Sequence, residues 1–483
     1  MSSWPAITDI AEKVQSGELR AIDLVNQSLK VIEDNKEYKA IIATTKKRAL
    51  ERAEAIDKRV ANGETVGRLA GVPFIAKDNF LAFGADTTAA SNILKGFEAP
   101  YQASAIERLE DEGAICVAKS NLDAFAHGSS TENSDLFTTL NPNDKTRVPG
   151  GSSGGSAAAV VLDMAPFAIG TDTGGSIRLP AAFCGCVGYK PTYGLVSRSG
   201  VIAMGSSTDV IGPLTKNVTD ASVVLDVMAG RDTLDSTTIE RDLKGYALQS
   251  SKPAYRPGRF KVQSSKIGVI KEYMGEGVNK EVKKQIEVAV EKLKKAGAKI
   301  SEVSLPSLPL ALAAYYIIVP AEISSNLSRY DGQKFGYIFE KAKDLDESYS
   351  KSRSIGFGKE AKRRIMIGTY VLSSGYYDAY YKKAQTVRTK LINEFNDVFK
   401  KVDFLVGPTT PTIAFKIGEN TDDPLKMYMQ DIMTAAANLT GVPAISLPTG
   451  KVNGLPVGLQ LIAPQRHDRQ LLELAKAVEE VLT

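Results

Sequence analysis

Two glycine- and serine-rich stretches decide the fold of this chain: Gly150-Gly151-Ser152-Ser153-Gly154-Gly155-Ser156 and Thr173-Gly174-Gly175-Ser176. Glycine allows sharp turns that bring backbone N–H groups close to a substrate. Serine supplies a hydroxyl that can act as a nucleophile. A hydroxyl beside several converging amides is the arrangement that acyl transfer requires. The two stretches therefore predict a catalytic site built from two turns.

A serine nucleophile needs a base, and histidine is scarce in this sequence: only His127 and His467 occur. His467 lies in a charged stretch typical of the solvated start of a helix, and His127 is more typical of packing at the end of a short helix. Lys77 follows an apolar stretch that predicts a short buried strand. Burial lowers the pKa of a lysine, so that the amine can accept a proton. We therefore expect Lys77 to be the base, with a histidine-based triad as the alternative.

These residues suggest a division of roles. Ser176 is the nucleophile, Ser152 relays its proton, and Lys77 accepts it. The developing oxyanion is expected to be held by backbone N–H groups of the second turn, those of Thr173, Gly174, Gly175 and Ser176. A bridging hydroxyl between two groups favours an unusual backbone, so we expect a cis peptide bond at or near Ser153.

Other interpretations of the glycines have less support. A phosphate-binding Walker loop requires a glycine-lysine-serine/threonine ending that the sequence lacks. A dinucleotide-binding fingerprint requires three glycines at a spacing that residues 150–155 do not fit well. A purely structural role for the glycines is a further alternative, but two such turns, with serines in both and a strand-end lysine upstream, argue against it.

Composition limits the class of protein. The chain has 483 residues, of which 43% are apolar and 24% charged, as in ordinary globular proteins. Its net charge of +4 gives no strong signal for nucleic-acid binding. The N-terminus lacks the features of a secretory signal, and the apolar stretch 308–323 is interrupted by Pro309 and Pro320. We therefore expect no membrane span.

The three cysteines, Cys116, Cys184 and Cys186, cannot all pair with one another. Their apolar or glycine-rich surroundings favour buried thiols in a reducing compartment, which predicts a cytoplasmic protein. No second cluster of cysteine and histidine completes a zinc site with Cys184 and Cys186. We therefore expect no metal in this chain.

Strand and helix patterns alternate along much of the sequence, which predicts an α/β sheet covered by helices. We interpret the chain as one domain, 1–483. It comprises an N-terminal helical segment (1–65), a core that contains the two turns (66–230) and a helical region that covers the site (305–400). The polar stretch 231–262 is expected to be a surface excursion.

The sequence resembles the amidase signature family. The resemblance rests on Gly150–Ser156 and on the run Asp172-Thr173-Gly174-Gly175-Ser176-Ile177-Arg178. It implies a Ser–cis-Ser–Lys triad of Ser176, Ser152 and Lys77, in which the cis peptide bond involves Ser152. It also implies an α/β/α fold around a large mixed twisted sheet, with helices on both faces.

Within this family the chain is similar, over almost its whole length, to the glutaminase subunits of tRNA-dependent amidotransferases. Six further stretches carry that similarity: Gly128–Ser134, Lys190–Gly194, Ser325–Gly332, Gly356–Arg364, Ser373–Tyr381 and Asn453–Gln460. Two positions depart from the pattern. His127 stands where methionine is usual, and Ser207-Thr208-Asp209-Val210 replaces Ser-Leu-Asp-Gln.

This similarity implies glutamine as the substrate. Free glutamine carries a carboxylate and an ammonium group, so its pocket needs a cation and an anion. Arg364 can bind the carboxylate through two hydrogen bonds, Asp431 can accept from the ammonium group, and Tyr315 can offer its hydroxyl. Without the resemblance, Arg364 and Asp431 would be interpreted as helix-surface charges and Tyr315 as a core aromatic residue.

The resemblance further implies a heterotrimer with amidotransferase subunits B and C. Ammonia released here would reach the partner that uses ATP and Mg²⁺ to amidate Glu-tRNA(Gln), and Asp-tRNA(Asn) is a further candidate. The partner would also provide most of the tRNA contacts, and this chain would need no cofactor. A stand-alone amidase for small or fatty amides is the alternative, and a non-catalytic assembly protein is a third, weaker hypothesis because the triad positions are intact.

Overall fold

The structure is a computed structural model that describes residues 4–248 and 262–483. Within these residues eleven strands form a single sheet. They are β1 (Ile41–Thr44), β2 (Pro73–Lys77), β3 (Ile115–Ser120), β4 (Phe167–Asp172), β5 (Val187–Lys190), β6 (Val210–Thr215), β7 (Lys266–Ile270), β8 (Lys299–Val303), β9 (Phe404–Pro408), β10 (Ala444–Val452) and β11 (Leu455–Ile462). Part of the predicted surface excursion, 249–261, lies outside the described residues.

The strands follow the spatial order β1-β3-β2-β4-β6-β5-β10-β11-β9-β7-β8. Strands β3, β2 and β4 are mutually parallel, and so are β8, β7 and β9. The strands between these two groups pair in antiparallel fashion, and β1 is an antiparallel edge. The sheet is therefore mixed, and the predicted α/β fold is confirmed.

Fifteen α-helices accompany the sheet in the described part of the chain. They are α1 (Ile7–Gln15), α2 (Ala21–Asp34), α3 (Lys46–Ala61), α4 (Ser104–Asp111), α5 (Gly154–Val161), α6 (Arg178–Cys184), α7 (Val218–Met228), α8 (Lys280–Lys295), α9 (Ala311–Asn326), α10 (Leu345–Gly356), α11 (Lys359–Leu372), α12 (Lys383–Phe399), α13 (Pro424–Tyr428), α14 (Ala435–Leu439) and α15 (Asp468–Leu482).

Helices pack on both faces of the sheet. Successive residues of β9 show this, because side chains alternate between the two faces of a strand. Phe404 and Val406 belong to a core shared with α8 and α15, whereas Leu405 belongs to a second core shared with α9 and α12. Both cores exclude water, which is the main favourable contribution to folding.

Local sequence explains the element that joins β7 to β8. The side chain of Asn279 accepts hydrogen bonds from the backbone N–H groups of Glu281 and Val282, and so caps the start of α8. Buried side chains then recur every three or four residues along the helix, at Val282, Ile286, Ala289 and Leu293. Such an amphipathic helix is the usual crossover between two parallel strands.

Two predictions about the elements need correction. The sequence predicts a helical segment over 1–65, but Ile41–Thr44 pairs with β3 because three of its four residues are β-branched. The sequence also predicts a short and broken apolar stretch, but Leu308–Arg329 is one continuous helical run of 22 residues that includes Pro320. By length and composition it could cross a membrane, but half of its most apolar window is buried inside the protein.

Helices α9 and α11 approach each other closely at Gly368. A β-carbon at this position would lie 1.9 Å from the carbonyl oxygen of Pro320, which is backbone and cannot rotate away. Alanine in place of glycine favours a helix by about 1 kcal/mol, but inserting a methyl group into a tightly packed contact typically costs about 1–3 kcal/mol. We therefore expect Gly368→Ala to lower the melting temperature.

The control is Gly275→Ala, where the nearest atom to an added β-carbon is 3.6 Å away and φ is negative. Thermal unfolding followed by circular dichroism compares the two variants. Equal melting temperatures for Gly368→Ala and the unmodified chain would contradict the packing shown here.

Candidate active site

The two glycine- and serine-rich turns meet at the ends of β2 and β4. Lys77 is the last residue of β2, and the turn that carries Ser176 follows β4. The backbone N–H of Ser153 donates to the carbonyl oxygen of Ser176 at 3.0 Å, which holds the turns together. The Gly151–Ser152 peptide bond is cis, which confirms the expected backbone feature and its place at the bridging serine.

The Lys77 amine is fully buried and surrounded by hydroxyl groups. Its Nζ lies 2.7 Å from Ser152 Oγ, 2.9 Å from Ser153 Oγ and 2.9 Å from Thr171 Oγ1. No carboxylate of the described residues lies within ion-pair distance of this amine. Lys77 is also the last residue of the fully buried strand β2, so the prediction that it ends a buried strand is confirmed.

Burial lowers the pKa of Lys77 from 10.5 to about 7. The negative charges of Asp123, Asp172 and Asp209 act in the opposite direction but are too distant to reverse this effect. A large fraction of the amine is therefore uncharged near neutral pH, and an uncharged amine can accept a proton.

The hydrogen bonds indicate which serine can pass a proton to Lys77. Ser153 Oγ donates to the carbonyl oxygen of Thr171 at 3.2 Å, so its proton is committed and it can only accept from Lys77. Thr171 Oγ1 also accepts from Asn79 at 3.0 Å. An uncharged amine has two protons and one lone pair. If those protons go to Ser153 and Thr171, the lone pair faces the hydroxyl of Ser152.

Ser176 retains slight exposure, 8% of its surface, in an otherwise buried site. Its hydroxyl forms no hydrogen bond with another described residue, and this includes Ser152. Catalytic hydrogen bonds often shorten only when substrate is bound, so this geometry does not argue against a relay. The structure thus brings Lys77, Ser152 and the backbone of the Ser176 turn together.

A buried ion pair fixes the turn that carries Ser176. The carboxylate of Asp172 contacts Arg178 at 2.9 Å, and it also accepts from the backbone N–H groups of Gly175 and Ile177 at 2.9 and 3.2 Å. Burial alone would raise the pKa of Asp172, but Arg178 and Lys190 hold it at about 2. This carboxylate is therefore ionised throughout the physiological range.

The bond from Gly175 to Asp172 corrects the predicted oxyanion hole. The sequence predicts that the Gly175 N–H points at the substrate, but this donor is used inside the protein. The backbone N–H groups of Thr173, Gly174 and Ser176 form no hydrogen bond with the described residues. These three amides remain as candidates for the oxyanion hole.

Glycine is needed in this turn because two side chains press against it. A β-carbon on Gly174 would lie 2.5 Å from the ring of Tyr315, and one on Gly175 would lie 2.2 Å from Thr434 Oγ1. Gly175 also has φ +139°, which L-residues rarely adopt. Tyr315 therefore lies directly against the turn of the candidate nucleophile, where its predicted contact with a substrate remains a prediction.

Arg364 is 1% exposed and enters the site from α11. Its Nε donates to Glu360 at 2.8 Å, and one Nη donates to the carbonyl oxygen of Gly128 at 3.1 Å. Its guanidinium also lies 5.2 Å and 5.4 Å from the ring centres of Tyr316 and Tyr428. The other Nη forms no hydrogen bond with a described residue, so this nitrogen is available to a ligand.

Asp431 lies on the same side of the site and accepts a hydrogen bond from the hydroxyl of Tyr316 at 2.8 Å. Burial raises the pKa of Asp431 to about 6, and the hydroxyls of Tyr316 and Ser129, together with Arg364, limit this rise. Asp431 is therefore mostly ionised at neutral pH. Tyr316 links the buried cation and the buried anion.

The two histidines have different positions. His467 is exposed and precedes α15, as expected. His127 is fully buried at the end of a short 3₁₀ helix, Ala124–Ala126, and neither of its ring nitrogens has a hydrogen-bond partner among the described residues. Neither histidine forms a hydrogen bond with a serine of the two turns.

The described residues contain no group of three or more His, Cys, Asp or Glu side chains that could hold a metal ion. A cavity of about 640 Å³ lies behind the segment that carries Asp431. It is lined mainly by apolar residues, including Tyr273, Phe415 and Met433, and by none of the triad residues.

Several residues that shape the site were not predicted from the sequence. Ser153 and Thr171 contact the lysine, and Asp172 and Arg178 hold the turn of Ser176. Asp172 and Arg178 belong to the signature run itself, so their presence in that run was a signal. The partners of Arg364, which include Glu360, could have been found from their helical spacing of four residues.

Comparison with known proteins agrees with this geometry. The amidase family matches residues 23–472 of the chain. The A subunit of glutamyl-tRNA(Gln) amidotransferase from Caldanaerobacter subterraneus subsp. tengcongensis is 49% identical over 475 residues, which cover 98% of this chain and 96% of that protein.

Solved structures give the same result. The structure of the glutamyl-tRNA(Gln) amidotransferase A subunit from Thermotoga maritima is 40% identical, has a TM-score of 0.78 and covers 97% of this chain and 94% of its own. The peptide amidase from Stenotrophomonas maltophilia is 28% identical, has a TM-score of 0.78 and covers 99% and 97% of the two chains. The chain therefore belongs to the amidase family, the amidase signature enzymes.

Proposed function

We propose that this chain is the glutaminase subunit of a tRNA-dependent amidotransferase. One observation carries the proposal. A buried cation, Arg364, and a buried anion, Asp431, lie on the side of the site where Tyr315 contacts the turn of Ser176. Separated charges of both signs suit a free amino acid, which carries a carboxylate and an ammonium group. The similarity to the A subunits of glutamyl-tRNA(Gln) amidotransferases over nearly the whole chain supports the same conclusion.

The first half of the reaction forms an ester. Ser176 Oγ attacks the side-chain amide carbon of glutamine, and its proton passes through Ser152 to uncharged Lys77. The negative oxygen that develops is held by the three free amides of the turn. Losing one such donor typically raises the barrier by about 3 kcal/mol. The carbon–nitrogen bond then breaks, the nitrogen takes the proton from Lys77, and ammonia leaves.

The second half restores the enzyme. Water attacks the γ-glutamyl ester, gives its proton to Lys77 through Ser152, and the bond to Ser176 Oγ breaks. Glutamate is released, and Ser176 recovers its proton. The ammonia would pass to a partner subunit, which in this proposal uses ATP and Mg²⁺ to activate Glu-tRNA(Gln) and, together with a third subunit, completes a heterotrimer. The proposal places the complex in the cytoplasm.

A stand-alone amidase for small or fatty amides is the competing function. Solved amidases with the same fold make it possible in principle. Glu360 already pairs with Arg364, but an apolar amide would offer no partner to the remaining Nη of Arg364 and no counter-charge to the buried Asp431, which is energetically unfavourable. The charged pair therefore favours the amino-acid substrate.

The proposal predicts a substrate preference and a dependence on partners. The purified chain should release ammonia from glutamine, and addition of the two candidate partner subunits should increase that rate. Butyramide, which has the same reacting amide but no charged end, should be a much poorer substrate. Efficient butyramide hydrolysis with no response to the partner subunits would support the stand-alone amidase instead.

The two neighbouring serines should differ in importance. Ser152→Ala removes the hydroxyl nearest to Lys77 Nζ, at 2.7 Å, which the proposal assigns to the relay, so kcat should fall about 10²- to 10⁴-fold. Ser153→Ala removes a hydroxyl whose proton is committed to Thr171, so kcat should fall less than about tenfold. Steady-state glutaminase assays measure both, with Ser176→Ala as the inactive reference. A larger loss for Ser153→Ala than for Ser152→Ala would reverse the assignment of the relay.

Activity should depend on the protonation of Lys77. The base must be uncharged, and burial places its pKa at about 7. The value of kcat/KM should therefore be low in acid, rise about tenfold per pH unit below 7, and level off above it. Asp123, whose pKa burial raises to about 7, titrates in the same range and adds curvature to the profile.

The pH profile is measured with glutamine between about pH 5.5 and 9, with circular dichroism to check that the chain stays folded. Lys77→Arg keeps a positive charge that cannot be lost, so it should be inactive across the whole range. A rate that is independent of pH below 7 would exclude Lys77 as the base.

A further inference from the structure

The side chain of His127 is buried, polar and unused by the mechanism above. It has no exposed surface, and neither Nδ1 nor Nε2 has a hydrogen-bond partner in the described chain. A buried polar atom that is left without a partner destabilises the folded protein. An apolar side chain of similar size would avoid this cost. The imidazole therefore lacks a hydrogen-bond partner among the described residues and could be satisfied by a ligand.

The backbone fixes His127 beside the catalytic turns. Its N–H donates to Ala124 at 3.1 Å, and its carbonyl oxygen accepts from the Asn133 side chain at 3.1 Å. The next residue, Gly128, packs so closely that an added β-carbon would lie 3.0 Å from the backbone nitrogen of Ser152. The segment thus lies against the loop of the proposed proton relay.

The same segment contacts the buried cation. The carbonyl oxygen of Gly128 accepts from Arg364, so His127 is one residue away from this contact. Burial and the positive charge of Arg364 lower the pKa of His127 well below its usual value, and no carboxylate counteracts them. The ring is therefore neutral, with one N–H donor and one acceptor nitrogen.

We propose that His127 is a further substrate-binding residue, whose imidazole N–H donates a hydrogen bond to the α-carboxylate of the amino acid held by Arg364. This inference rests on the proposed glutaminase function. The free Nη of Arg364 and the His127 N–H would bind the two oxygens of one carboxylate. His127 then helps to distinguish an amino acid from a simple amide, and it takes no part in the proton transfers at Ser176.

The test compares glutamine with 4-aminobutanamide, which has the same amide and ammonium groups but no carboxylate. His127→Met keeps a similar volume and removes the donor. We expect kcat/KM for glutamine to fall about tenfold, mainly through KM, and kcat/KM for 4-aminobutanamide to change less than about twofold. His127→Gln, which keeps an N–H donor, should recover most of the loss on glutamine.

Binding gives a second measurement that does not depend on turnover. In the Ser176→Ala background, calorimetry should show that His127→Met weakens glutamine binding about tenfold, with the melting temperature unchanged or raised. Equal losses on both substrates, or unchanged affinity for glutamine, would overturn the role of His127. Failure of the unmodified enzyme to prefer glutamine over 4-aminobutanamide would instead overturn the glutaminase proposal, and with it the carboxylate partner of His127.

Discussion

An ammonium group is costly to bury, and the site depends on the way this cost shifts the protonation of Lys77. A change of pKa from 10.5 to about 7 corresponds to about 5 kcal/mol in favour of the uncharged amine. The surrounding sheet and helices cause this cost, because they exclude water and keep carboxylates beyond ion-pair distance. The hydroxyl groups around the amine form hydrogen bonds with it but, being neutral, do not favour its protonated form as a carboxylate would. The site therefore contains a largely uncharged amine near neutral pH, which can serve as the proposed general base without histidine.

A second constraint fixes the turn of Ser176, the proposed nucleophile. Asp172 remains ionised in the interior because Arg178 pairs with it, and the same carboxylate binds two backbone amides of the turn. A buried ion pair is not in itself a strong source of stability. Here it has a geometric effect, because it aligns the Ser176 turn and removes one amide from the set that can face the substrate.

Recognition comes from a different part of the chain. Tyr315 and Arg364 are carried by α9 and α11, whose close contact at Gly368 sets their relative position. Tyr316 and Tyr428 enclose the guanidinium, and Tyr316 also binds Asp431. In the proposed function, α9 and α11 thus supply Tyr315 and Arg364 to the pocket, while the turns at the ends of β2 and β4 supply the reacting groups.

The sequence by itself determined the family, the α/β class, the two turns and the choice of Lys77. These features are encoded by runs of adjacent residues, such as the glycine- and serine-rich turns and the apolar stretch that ends in the lysine. The sequence pattern assigned residues 1–65 to helices and so missed β1, whose four residues are held by pairing with a distant strand. Only the tertiary structure decided that the Gly175 amide is consumed by Asp172, that Ser153 shares the lysine with Ser152, and that His127 is buried beside Arg364. Those outcomes depend on contacts between residues far apart in the chain, where burial and competing hydrogen bonds, rather than local pattern, set the lowest free energy.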